Sequence, residues 1–109
     1  RASHAGVDDK LTCCDIEMDL VRHKVTRGGD PVHLGPTEFK LLRTFMERPG
    51  QVFSRARLLD LVWGRDVYVE DRTVDVHIRR LRKAINDGDR PDVIRTVRAA
   101  GYALDAEQS

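Results

Sequence analysis

The sequence predicts an α+β domain: a sheet of four short antiparallel strands, then three helices, then a terminal β-hairpin. Three observations lead there. Apolar residues follow a short, β-like pattern from Lys10 to Leu34, take a helical period between Pro36 and Ile85, and return to β-like runs from Ile94. A length of 109 residues suits one core, since two would each be marginal. Hydrophobic residues make up 40%, too many for disorder, with no run long enough to span a bilayer.

Residues 1–9 are small, polar and without period, so a linker or disordered end is expected there, with the domain over 10–105 and a tail at 106–109. A chain opening on Arg1 rather than Met is expected of a fragment or processed form. No basic segment leads into an apolar one, so no secretion signal is expected and the cytoplasm is the expected location. Strands are expected at 11–13, 16–19, 24–27 and 31–33. Gly28, Gly29 and Asp30 tolerate positive φ and make the turn of a hairpin between the last two. Glu17 and Asp19 alternate with Ile16, Met18 and Leu20, as in a sheet wet on one face. Cys13 and Cys14 are adjacent, so they point to opposite faces and are expected to be reduced rather than bridged. His4, His23, His33 and His77 lack metal-ligand spacing, so neither metal nor cofactor is expected.

Pro36 suits a first helical position behind a Gly35 cap, and Glu38 falls where a capping-box acid would sit. Phe39, Leu42, Phe45 and Met46 form its stripe, and Pro49 with Gly50 ends it. Ser54 caps a second helix carrying Leu58, Leu61 and Val62 and ending at Trp63 and Gly64. After a connector at 65–70, a third helix runs from about Asp71 to Ile85, closed by Asn86, Asp87 and Gly88. Runs at 94–97 and 102–104, around a turn at 98–101, complete the hairpin.

The third helix carries the chemistry. Projected at ~100° per residue, Val74, Ile78, Leu81 and Ile85 fall within about 60°, a continuous core stripe. Arg72, Val76, Arg79 and Lys83 lie opposite, with Arg80 beside them. The formal charge of the whole chain is +1, yet residues 71–83 hold five Lys or Arg against two Asp, which is +3 and leaves −2 elsewhere. A solvated amphipathic helix would carry such cations too. Here few acids stand four residues away to offset them, arginine dominates, and Val76 sits among them where only a partner would cover it. An apolar group between arginines suits a thymine methyl beside phosphates. In the hairpin, Thr96 and Arg98 lie where a cation could enter an adjacent minor groove. A helix for the major groove flanked by a basic β-wing, with a second helix as buttress, is a winged helix-turn-helix. The connector's Val67, Tyr68 and Val69 are apolar, and packing beneath the sheet suits Tyr68. Trp63 suits a core cap or a protein anchor equally.

The runs GPTEFKLLRTFMERPGQVFSRARLLDLVWG, VYVEDRTVDVHIRRLRKAI and IRTVRAAGYAL resemble the effector domains of OmpR/PhoB-family response regulators, most of all those of the phosphate regulon. The resemblance spans about residues 11–104. It implies duplex-DNA binding, with Asp75, Val76 and Arg80 near base edges and Arg98 in the minor groove. It also implies phosphate contacts from Arg55, Arg72, Thr73, His77, Arg79, Arg82 and Thr96, with Lys83 on the same surface. Trp63, Gly64, Val69 and Asp71 would meet the RNA polymerase sigma factor, although Asp71 also suits a helix cap. Tandem direct repeats on DNA are implied, together with a receiver domain and sensor kinase outside this chain. No membrane partner is expected, and the isolated domain is expected to be monomeric without DNA.

An enzyme is the first rival reading. Asp75 and His77 diverge by about 200° on a helix, and no nucleophile elbow, phosphate loop or metal triad accompanies them, so no catalytic residue is assigned. A winged-helix module for protein or RNA, or a regulator of another regulon, is the remaining alternative.

Overall fold

The computed structural model describes residues 10–13, 15–64, 71–86 and 92–104. The expectations for residues 1–9, Cys14, Val67, Tyr68, Val69, Asp87, Gly88 and residues 106–109 lie outside it.

Strands β1 (Lys10–Cys13), β2 (Ile16–Asp19), β3 (Lys24–Arg27) and β4 (Asp30–Val32) form an antiparallel meander in chain order. The alternation works as expected on β2, where Ile16 and Met18 are buried and Glu17 is exposed. Cys13 also faces the core. The β2–β3 turn is tied by Asp19, whose Oδ1 accepts the Val21 and Arg22 amides at 3.1 and 3.0 Å. Gly28 and Gly29 turn β3 into β4 with φ of 59° and 89°. Because that loop has two residues, Arg27 pairs with Asp30, and β4 starts one residue earlier than expected.

Helix α1 (Pro36–Glu47) lays Phe39, Leu41, Leu42, Phe45 and Met46 against the sheet and the other helices. The second helix departs from the even helical period. It begins as α2 (Arg55–Leu58), where Ser54 Oγ accepts the Arg57 amide at 3.1 Å. It then widens into a π turn (Leu59–Trp63), closed by the Gly64 amide on the Leu59 carbonyl at 3.0 Å. A π turn advances less per residue than the ~100° of an α-helix. Leu61 therefore swings out to 48% exposure while Val62 stays buried and Trp63 packs on the core.

Helix α3 (Asp71–Ile85) buries Val74, Ile78, Leu81 and Ile85, the stripe read from its period. The hairpin of β5 (Ile94–Val97) and β6 (Gly101–Leu104) follows, and β6 takes Phe53 on its other edge through paired backbone bonds of 2.8 and 2.9 Å with Tyr102. The result is a winged helix-turn-helix with a four-stranded antiparallel sheet ahead of it. No helix among the described residues is long and apolar enough to cross a membrane.

Candidate nucleic-acid interface

With its core stripe buried, α3 turns Arg72, Val76, Arg79, Arg80 and Lys83 outward. Val76 is 47% exposed, a large apolar side chain held among cations. The side chains of Arg79, Arg80 and Lys83 make no hydrogen bond or ion pair with the described residues, and neither does that of Arg98 at the exposed wing turn. Thr73 is half-buried beside them. Between the start of α2 and the wing runs a groove of about 370 Å³, lined by Ser54, Arg55, Ala56, Thr96, Ala99 and Gly101.

Five of the expected DNA-contacting residues, Arg55, Asp75, His77, Arg82 and Thr96, are engaged within the protein. The Asp75 carboxylate receives Arg55 twice, Nε on Oδ1 at 3.1 Å and Nη2 against Oδ2 at 3.0 Å, and accepts the Tyr102 hydroxyl at 2.5 Å. Burial raises the Tyr102 phenol pKa, and its bond to the carboxylate raises it further. Arg82 turns back to the wing: Nη2 donates to the Ile94 carbonyl at 3.0 Å and to Thr96 Oγ1 at 2.5 Å. Its guanidinium carbon lies 5.5 Å from the Tyr102 ring centroid, and Nε faces Asp92 at 3.4 Å.

His77 points under the helix. Its Nδ1 meets Glu38 Oε2 at 2.6 Å, and its ring lies 5.4 Å from that of Trp63. Glu38 thus departs from the expected capping box. Gly35 offers no side chain to reciprocate, and the carboxylate turns to the histidine of α3. Burial alone would raise the Glu38 pKa, but the bonds from His77 and from its own backbone amide outweigh burial and bring it down. Gly64, with φ of 90°, closes the π turn beside Trp63. Val69 and the Asp71 side chain lie outside the described residues.

Sequence reasoning missed four participants: Glu38, Tyr102, Arg27 and Asp92. Arg27 is 1% exposed on β3, and its Nη1 donates to the Ile85 carbonyl at 2.8 Å and to Asn86 Oδ1 at 2.5 Å, closing the C-terminus of α3. A signal existed, since period two places Arg27 on the face of Val25. Asp92 joins this end to the wing, accepting Asn86 Nδ2 at 2.9 Å and the Ile94 amide at 3.0 Å.

Residues 29–104 match the family described as transcriptional regulatory protein, C terminal. The phosphate regulon transcriptional regulatory protein PhoB of Rhizobium meliloti is 57% identical over 106 residues, covering 97% of this chain and 47% of that protein. Its namesake in Escherichia coli is 50% identical over 102 residues, 94% of this chain and 44% of that one. The chain thus spans about half the length of these relatives. Among solved structures, the Klebsiella pneumoniae RstA DNA-binding domain in complex with the RstA box superposes with a TM-score of 0.79 at 33% identity, covering 90% of this chain and 98% of that one. Family match, identity and superposed fold converge, and the chain belongs to the C-terminal effector domains of OmpR/PhoB-type transcriptional regulators.

Proposed function

We propose that this domain reads duplex DNA by sequence, with α3 in the major groove and Arg98 of the wing in the neighbouring minor groove. The observation that carries the reading is Val76, exposed at the centre of a face built from Arg72, Arg79, Arg80 and Lys83. Such a side chain is poorly placed in water and well placed against a thymine methyl, with guanidinium groups on guanine edges and phosphates around it. The RstA DNA-binding domain, of the same fold, is solved in complex with the RstA box.

Val76, Arg80 and Asp75 stand at base edges in this reading. Arg55, Arg72, Thr73, Arg79, Lys83 and Thr96 take phosphates. His77 reaches the backbone through Nε2, and Arg82 through the edge not turned to the wing. The whole protein, by its likeness to phosphate-regulon regulators, acts in the cytoplasm and binds tandem direct repeats under control of a phosphorylated receiver and its sensor kinase. Trp63, Gly64, Val69 and Asp71 meet the polymerase sigma factor, and the isolated domain is monomeric before it meets DNA.

The test is to select bound sites from random duplex and titrate the recovered site and a scrambled one over a range of salt. Affinity should fall steeply with salt on both. Arg80→Ala should cost about 1–3 kcal/mol on the recovered site and relax its sequence preference. Equal affinity for both duplexes at every salt concentration would overturn the reading.

A further inference from the structure

We infer that Asp75 and Arg82 are positioning residues that clamp the wing onto α3 at two points and so set the spacing between the two DNA-reading elements. The inference rests on the proposed DNA reading and deepens it. Seven residues of helix bring the direction back to within about 20°, so both side chains leave α3 along one stripe, ~10 Å apart. They end on facing strands of the wing, Asp75 on β6 and Arg82 on β5. Asp75 accepts the Tyr102 hydroxyl and Arg82 donates to Thr96, and Thr96 and Tyr102 are directly opposed across the β5–β6 ladder.

The geometry gives each clamp a distinct job. A two-stranded ribbon is marginal alone, and the paired bonds between Phe53 and Tyr102 hold only its β6 edge. Two bridges from positions two turns apart on the same helix fix both its distance and its tilt. Asp75 is itself fixed from a third element, since Arg55 at the start of α2 holds both carboxylate oxygens. The Arg82 guanidinium is wedged between the Ile94 carbonyl, Thr96 Oγ1 and the Tyr102 ring. An acid on a cationic face is costly for phosphate binding. Here its charge is offset by Arg55 and its position is used.

The consequence is cooperative reading. A wing held in register enters its groove as an intramolecular event once the helix has docked, and loosening the clamp lowers the effective concentration of Arg98 at its base pairs. Tyr102→Phe opens the Asp75 clamp without touching α3. The operator recovered by selection is compared with a version altered only beneath the wing and another altered only beneath the helix. Tyr102→Phe should lose about tenfold in discrimination against the wing-altered duplex while discrimination against the helix-altered one stays within about twofold. Arg98→Ala should then cost much less in the Tyr102→Phe background than in the parent. A uniform loss on all duplexes, no loss, or full additivity with Arg98→Ala overturns the clamp. If the parent protein itself fails to discriminate, the DNA reading has failed. The clamp is then judged on the free protein, where Tyr102→Phe should speed amide exchange at Thr96 and Val97 about tenfold; unchanged exchange overturns it. Should Tyr102→Phe not fold, Tyr102→Leu is put through the same comparisons.

Discussion

Replacing Arg27 with alanine should destabilise the domain more than any surface change. Its guanidinium is 1% exposed, donates through Nη1 to the Ile85 carbonyl and to Asn86 Oδ1, and through Nε to Asp15 Oδ1 at 3.0 Å. The Asp15 bond contributes least, because that carboxylate is 48% exposed and an ion pair reaching solvent is worth about 0–1 kcal/mol. The inner two bonds join a charged donor to neutral oxygens, and at about 1.5–3 kcal/mol each their loss costs about 3–6 kcal/mol. For a domain of this size each kcal/mol lowers the melting temperature by about 4–8 °C, so a fall of at least about 12 °C is expected. Thermal unfolding followed by circular dichroism reads it directly. Arg27→Lys should recover less than half of the loss, because one ammonium cannot span Asp15 and the helix end together. In hydrogen exchange the C-terminal turn of α3 should open before the sheet does. A melting temperature lowered by less than about 5 °C would refute the claim that this arginine holds the helix end.

Gly101 has φ of 138°, and a Cβ there would sit 1.9 Å from the Phe53 carbonyl oxygen, so Gly101→Ala forces the β6 edge away from Phe53. Loss of the cooperative melt, or a destabilisation above about 3 kcal/mol in urea, is expected, and near-parent stability would contradict the close approach. Glu38 has its pKa lowered below the ordinary 4.5, so it contributes stability that is full above 4.5 and lost as pH falls through its folded value. Glu38→Gln lacks this term. The stability gap between parent and variant, from urea melts, should therefore narrow as pH is taken from neutrality to below 4.5, and a widening gap would reverse the assigned sign.

The regular elements were legible because each is decided locally. The α3 stripe of Val74, Ile78, Leu81 and Ile85 follows from its period, and the β2 alternation of Ile16 and Met18 likewise. The second helix was less legible, because nothing in a run of Leu58, Leu59, Leu61, Val62 and Trp63 says which apolar residue will be turned outward. The choice of Leu61 comes with the π turn, at whose end Trp63 meets the His77 ring of α3. Long-range polar pairing was the least visible. Asp75 and Arg55 are 20 residues apart, Glu38 and His77 are 39, and Arg27 and Ile85 are 58. No periodicity links such positions; only the assembled fold brings them within hydrogen-bond reach.

The charge of the recognition segment shows how this limits a count made on sequence. Residues 71–83 total +3. Arg82 belongs to that sum, yet one edge of its guanidinium is held by the wing. Asp75 subtracts from the sum, yet Arg55, from outside the segment, offsets it. The two corrections oppose each other, so the outward face keeps a positive character carried by Arg79, Arg80 and Lys83, with Arg98 adding to it from the wing. None of these side chains makes a hydrogen bond or ion pair with the described residues, although the Arg80 charge helps to lower the Glu38 pKa, and such charges act over the ~8–10 Å of a Debye length at physiological salt. The committed pair contributes rigidity, the uncommitted cations contribute attraction, and one helix supplies both by turning different stripes to the wing and to solvent.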